Sequence, residues 1–308
     1  MPYPVHHIDP HWVLESEQLG TKEKFWFRAP AIIETNGEPF HKAEWLFKYP
    51  TAGTGQHWAE KIAYELACRM KILAPRVELV ELDGEKGSAT ENFTQEGYDL
   101  FHGNQILAGF DSGYAPHQRF RQNDHTIGRI FDALGILFVD GDEAQRAKEK
   151  LAGYLLLDAL ICNVDRHHEN WGVLRKQTED GWRGRIAPSF DHASSLGREL
   201  QDSGTKQNRE RYLHELGIAK YLERGRGPIF VDGTGKHGPS PLRLIERSLE
   251  IDELAPFFQA ALPKLNHFTA EDFETIVQEI PQSWMSDLAR DFVCSLLNES
   301  LSQLKELS

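Results

Sequence analysis

Between Tyr154 and Cys162 the chain reads Tyr-Leu-Leu-Leu-Asp-Ala-Leu-Ile-Cys, apolar on nearly every side of a helix. A helix without a polar face has to sit in the middle of a fold, so the rest of the chain must be thick enough to cover it. Directly after it come Asn163, Asp165, Arg166, His167, His168, Glu169 and Asn170. Carboxylate, imidazole and carboxamide groups thus leave a rigid base on one short loop, which is how precise chemistry is delivered.

Trp171 to Arg175 and Arg183 to Pro188 read as two strands joined by a turn at Glu179-Asp180-Gly181, followed by Ser189-Phe190-Asp191-His192. Such a hairpin returns Asp191 to the side of Asn170. A carboxylate and a carboxamide oxygen are hard ligands suited to magnesium, with phosphate oxygens completing the shell. Asp165 is then the candidate general base, orienting an attacking hydroxyl and accepting its proton. His167 is the candidate contact to the transferred phosphate, Arg166 the residue that holds the loop, and His168 reads as a hydrogen-bonded structural imidazole.

Upstream, residues 24 to 95 read as a small antiparallel sheet with one crossing helix. Lys24 to Arg28, Ala31 to Glu34, Glu44 to Tyr49, Val77 to Leu82 and Gly87 to Phe93 are strand-like, with Asn36-Gly37 a hairpin signal. Ala59, Ile62, Ala63, Leu66, Ala67 and Met70 recur at helical steps and predict a helix over 57–71. Lys48, ending an apolar strand, and Glu60, at the start of that helix, form a candidate ion pair whose lysine holds nucleotide phosphates. A lone strand lysine is more often a snorkelling surface residue; the acidic loop downstream reverses that preference. Gly97 to Asn123 reads as a linker. From Thr126 onward helices dominate, over 127–138, 142–163, 242–250, 252–262, 270–279 and 281–307. The segment Gly197 to Lys236 is rich in Arg, Lys and Gly, and reads as a solvated face or, beside the site, as a binder of acidic groups.

Charge narrows the function. At −13 with 34 Lys and Arg against 47 Asp and Glu, the chain does not suit general nucleic-acid binding. Cys68, Cys162 and Cys294 lie far apart, giving neither a disulfide framework nor a paired metal motif and pointing to a reducing compartment. No run approaches the roughly 18 apolar residues of a spanning helix, and the first residues lack a signal-peptide pattern, so a cytoplasmic location is expected.

The order of strand lysine Lys48, helix glutamate Glu60, Asp-Arg-His-x-x-Asn over Asp165 to Asn170, and Phe190-Asp191 resembles the HipA-like serine/threonine kinases, most nearly their short, Helicobacter-type members. The resemblance implies an α+β, protein-kinase-like bilobal fold: a β-rich N-lobe over 1–95, a hinge and linker over 96–125, and a mainly helical C-lobe over 126–308. It implies ATP and magnesium as cofactors, with Lys48 on the phosphates, Glu60 paired to it, adenine contacts from Glu91, Asn92 and Phe93, Asp165 as base, and Asn170 and Asp191 on the metal. A protein serine or threonine is the implied acceptor, an antitoxin protein the implied partner, and a toxin or delivered effector the implied role. Two departures stand out: strand-like sequence begins by Lys24, leaving little room for the extra N-terminal subdomain of full-length HipA toxins, and Thr35 is the nearest hydroxyl to the family's autophosphorylated serine. Three alternatives remain: a phosphoinositide-type lipid kinase, which shares the Asp-Arg-His-x-x-Asn pattern; a pseudokinase acting as a binding module; and a metal-dependent phosphohydrolase built on His167, His168, Asp191 and His192.

Overall fold

The structure, a computed structural model, describes residues 1–16, 24–29, 44–94, 97–119, 121–138, 140–179 and 181–307. The Ala31 to Glu34 run, Thr35 and the Asn36-Gly37 hairpin lie outside the described residues.

A six-stranded sheet forms the N-lobe from β1 (Val5–His7), β2 (Val13–Ser16), β3 (Lys24–Arg28), β4 (Glu44–Lys48), β5 (Val77–Leu82) and β6 (Glu85–Glu91), in the order β1-β5-β6-β4-β3-β2. Only β1, pairing with β5, is parallel. The β5–β6 connection is the two-residue turn Asp83-Gly84, with φ of 51° and 82°. Left-handed backbone at both positions matches the twist of the flanking strands, and a glycine second residue favours it.

Alternation along β4 sorts its side chains: Trp45 and Phe47 are fully buried, while Leu46 and Lys48 take the other face. Phe47 stacks on Phe25 with ring centroids 4.7 Å apart, and with Phe27, Val80, Leu82 and Ala89 they form a core separate from that of the C-lobe. Burying these rings fixes the register and so aims Lys48 at the opposite side. Gly87 lies where an added Cβ would come within 2.5 Å of the Phe47 ring and 2.8 Å of the Lys48 carbonyl oxygen. Gly87→Ala is therefore expected to cost about 1–3 kcal/mol by overpacking, seen as a lower denaturant midpoint at unchanged slope.

Helix α1 (Gln56–Arg69) crosses behind the sheet, and its Ala59, Ile62, Ala63 and Leu66 join the C-lobe core. The linker stretch carries a strand, β7 (Asp99–His102), and a helix, α2 (Gly103–Phe110). The strand has only four residues, Asp-Leu-Phe-His, and pairs with β8 partners from Gly172 to Arg175, a distant partner that local pattern cannot reveal.

The C-lobe contains α3 (Ile127–Leu137), α4 (Gly141–Ile161), α5 (Arg209–Arg211), α6 (Ile218–Arg224), α7 (Pro241–Leu249), α8 (Ala255–Ala261), α9 (Ala270–Gln278) and α10 (Asp287–Lys305). The fully apolar end of α4 is its axis: every residue from Leu151 to Ile161 is buried, with α3, α7, α8 and α10 packed around it. Helix α10 starts later than the periodicity predicts, because the Ser286 hydroxyl accepts from Ala289 N and caps it there. Strands β8 (Gly172–Thr178) and β9 (Gly181–Ile186) form the expected hairpin, with β7 as a third strand beside β8. The bilobal α+β architecture follows, β-rich first and helical after. Among the described residues no helix is long and apolar enough to cross a membrane.

Candidate active site

Helix α4 ends at Cys162, which takes a left-handed φ of 52° and turns the chain out of the core. The loop that follows is held from beneath by one buried guanidinium. Arg166 donates Nε and Nη2 to the Asp158 carboxylate at 2.7 and 2.8 Å, Nη1 to the carbonyls of Asn170 and Phe190 at 2.6 and 2.9 Å, and Nη2 to Ser189 Oγ at 3.1 Å. A planar guanidinium has five N–H donors to make these five bonds, whereas a lysine ammonium has three. Both ions of the pair are buried, at 3% and 2% side-chain exposure. Helix α4, the loop and the Asp191 segment are thereby locked together, and Asn163 Nδ2 adds a bond to Asp158 at 2.8 Å.

The loop folds around the backbone of Asp165, whose carbonyl accepts from His167 N and from Asn170 Nδ2, both at 2.7 Å. Asn170 thus spends its amide nitrogen inside the loop, and among the described residues nothing donates to its Oδ1. The Asp165 carboxylate is 44% exposed, facing out of the loop, with Oδ2 accepting from Ser194 Oγ at 3.2 Å.

Asp191 arrives from the other strand end with φ of 59°, a conformation that aspartate and asparagine tolerate better than most side chains. Its Oδ1 lies 3.0 Å from Lys48 Nζ, so a strand of the N-lobe and a segment 143 residues later meet in one ion pair. Glu60 is behind them, 1% exposed, accepting from the His192 backbone N at 2.9 Å. Burial works against its charge, yet Lys48 beside it, and then its hydrogen bond with His192, hold the carboxyl below the ordinary carboxylate range. Its Oε2 is buried without a hydrogen-bond partner among the described residues. Lys48 thus acts on Glu60 through its charge, while the ion pair it makes at 3.0 Å is with Asp191.

Next to Asp191 in sequence, Phe190 is stacked on by Phe93 with centroids 5.2 Å apart, and His102 approaches the same ring at 6.3 Å. The Glu91 amide donates to Arg76 O and the Asn92 amide to Glu44 O. Of Glu91, Asn92 and Phe93, the expected adenine contacts, Phe93 alone has an amide without a hydrogen bond among the described residues.

His167 and His168 diverge, their rings 88° apart. His168 is buried against Tyr114, whose hydroxyl is 2.7 Å from Nδ1, as a structural imidazole would be. His167 is also buried, at 3% exposure, and its Nε2 accepts from Arg119 at 3.1 and 2.7 Å. Burial, reinforced by the Arg119 charge, lowers its pKa to about 3, so the ring is neutral.

Residues 19–235 match the HipA-like C-terminal domain family, more than half of the chain. The chain belongs to the HipA-like family. No curated protein matches it in sequence. Among solved structures this HipA-like chain is similar to the Helicobacter pylori proinflammatory kinase CtkA, with a TM-score of 0.73 at 17% identity over 92% of each chain. It is also similar to a chain from the Shewanella oneidensis toxin–antitoxin complex of HipA, HipB and operator DNA, with a TM-score of 0.58 at 13% identity, covering 94% of this chain and 65% of that one. At these identities the likeness is one of fold.

Two residues that hold the HipA-like site carry almost no local signal. Asp158 is a lone acid in an apolar helix, eight residues before an arginine, a hint that becomes meaningful only once both are known to be buried. Arg119 lies 48 positions from the histidine that it binds, in a stretch with no motif. The basic segment after Gly197 is not uniformly solvated either: Arg209 is buried, bonded to Asp202 and to the Gly197 carbonyl.

Proposed function

We propose that the chain is an ATP- and magnesium-dependent protein serine/threonine kinase of the HipA-like type, with nucleotide held between the lobe over 1–95 and the lobe over 126–308 and with 96–125 as the hinge and linker. The observation that carries this reading is the 3.0 Å contact between Lys48 and Asp191 beside the outward-facing Asp165 carboxylate. On this reading Lys48 is the phosphate-binding cation, Asp191 the metal carboxylate and Asp165 the proton acceptor, the set that phosphoryl transfer needs.

The donor set fits magnesium. Asp191 offers a carboxylate and Asn170 a carboxamide Oδ1, hard oxygens too few for a closed cage, as befits an ion that keeps water and phosphate ligands. Among the described residues no three His, Cys, Asp or Glu side chains converge as a metal cluster, so the phosphohydrolase alternative gains no support. When bound, magnesium neutralises charge on the β- and γ-phosphates.

The chain's own residues do the rest. Lys48 Nζ binds phosphate oxygens and, released from Asp191, has the unpartnered Oε2 of Glu60 to hold it in place. Asp165 accepts a hydrogen bond from the acceptor hydroxyl, aims it and takes its proton. The Phe93 amide donates to the adenine edge, with the stacked Phe93 and Phe190 rings nearby. His167, buried and neutral, shapes the loop rather than carrying charge to the phosphate. An antitoxin-type protein partner and a toxin role belong to the same reading, by likeness to the family of the Shewanella complex.

Thermal denaturation with nucleotide tests it. ATP with magnesium, at about 100 times its dissociation constant, is expected to stabilise the fold by about 2.7 kcal/mol, and label from [γ-32P]ATP to appear on serine or threonine of a generic acceptor. Stabilisation by zinc alone, or nucleotide binding without transfer to any acceptor, would count against it.

A further inference from the structure

Three carboxylates, Asp165 and Glu169 of the catalytic loop and Asp191 of the segment after β9, belong to this site. A phosphoryl group in flight is also negative, and the loop's own arginine, Arg166, is buried and paired to Asp158, so a further cation has to come from outside the loop. Lys48 stands on the N-lobe side, paired to Asp191. Arg119, from the irregular stretch between α2 and α3, reaches the acceptor side instead. Its Nε and Nη2 both donate to His167 Nε2, which in turn lies 3.9 Å from Asp165 Oδ1, and Nε is 3.5 Å from Glu169 Oε2.

The stretch is fixed in place for this. Tyr114 is hydrogen-bonded to His168 at 2.7 Å, Asn104 N donates to the His168 carbonyl at 2.8 Å, and Asn104 Nδ2 donates to the Pro116 carbonyl at 3.2 Å. His168 thus docks the stretch and His167 orients the guanidinium. Among the described residues Nη1 makes no hydrogen bond, and the side chain is 34% exposed. An arginine with a spent edge and an open edge is the form in which guanidinium meets phosphate.

We infer that Arg119 is a further catalytic residue of this site: its Nη1 edge binds an oxygen of the transferring phosphoryl group, and His167 is the positioning residue that aims it. The inference rests on the kinase reading above and adds to it the residue that supplies the acceptor-side charge. It requires no new co-reactant, since Arg119 remains protonated throughout and Asp165 alone takes the hydroxyl proton.

The test is steady-state phosphate transfer by the full chain, its Arg119→Ala and Arg119→Lys variants, and Arg119→Ala with added guanidinium or methylguanidinium. Loss of one preorganised transition-state donor predicts a fall in kcat of about 10²-fold for Arg119→Ala, with the KM for ATP nearly unchanged, and a smaller fall for Arg119→Lys. Millimolar guanidinium is expected to restore at least tenfold of the lost kcat in Arg119→Ala and none in Asp165→Asn. Parental kcat in Arg119→Ala would overturn the inference while leaving the kinase reading intact. So would a loss that guanidinium does not relieve, because an arginine that only packs the loop is not replaced by a small cation. Absence of phosphate transfer by the parent chain would overturn both.

Discussion

Asp165→Asn is expected to lower phosphate transfer by about 10³–10⁴-fold, the upper part of the range for a positioned general base. The substitution is clean because the loop is built on the Asp165 backbone and not on its side chain: the carbonyl takes the bonds from His167 N and Asn170 Nδ2. Asparagine keeps the shape, and its carbonyl oxygen can still accept from Ser194. Being 44% exposed, the side chain contributes little to packing, so the melting temperature and the stabilisation by ATP with magnesium should stay at parental values. Initial rates with radiolabelled ATP, read beside nucleotide-dependent melting, separate loss of the base from loss of binding. A variant that transfers phosphate at the parental rate would remove Asp165 from this role.

Arg166→Met should be the most destabilising single change in the site, by about 3–5 kcal/mol, because it leaves the Asp158 carboxylate buried and uncompensated. The chemistry of the partner decides the magnitude more than the count of lost bonds does. Replacing both ions, as in Asp158→Leu with Arg166→Met, removes the stranded charge and should recover much of the stability, since apolar pairs often replace buried ion pairs at little cost. Transfer should not recover with it, as the anchors to the Asn170 and Phe190 carbonyls are gone in both cases. Denaturant unfolding of the two single variants and the double variant forms the required cycle. A purely additive double variant would show that Asp158 and Arg166 act independently.

What the sequence made legible was chemistry close together in the chain or periodic along it. The hairpin from β8 to β9, the buried end of α4, the alternation that aims Lys48 and the span of Asp165 to Asn170 all follow from neighbours a few residues apart. Strand β7 did not, since its four residues become a strand only by pairing with β8, where Gly172 lets the Phe101 carbonyl approach to within 2.4 Å of where a Cβ would stand. The ion pair of Lys48 with Asp191 was equally hidden, because it depends on the approach of two segments 143 residues apart and not on either motif. The sequence marks His167 as a candidate phosphate contact, but its partner Arg119 is invisible until the loop is folded.

The left-handed backbone at Asp191 narrows how this position can drift. Asparagine and glycine also fit a φ of 59°, whereas alanine adds strain to the loss of the carboxylate. Asp191→Asn is therefore the substitution that changes the charge and leaves the backbone alone. In the genetic code, asparagine and glycine are each a single base away from aspartate. One base change can thus remove the carboxylate proposed to hold the metal while leaving the left-handed backbone of this segment unstrained.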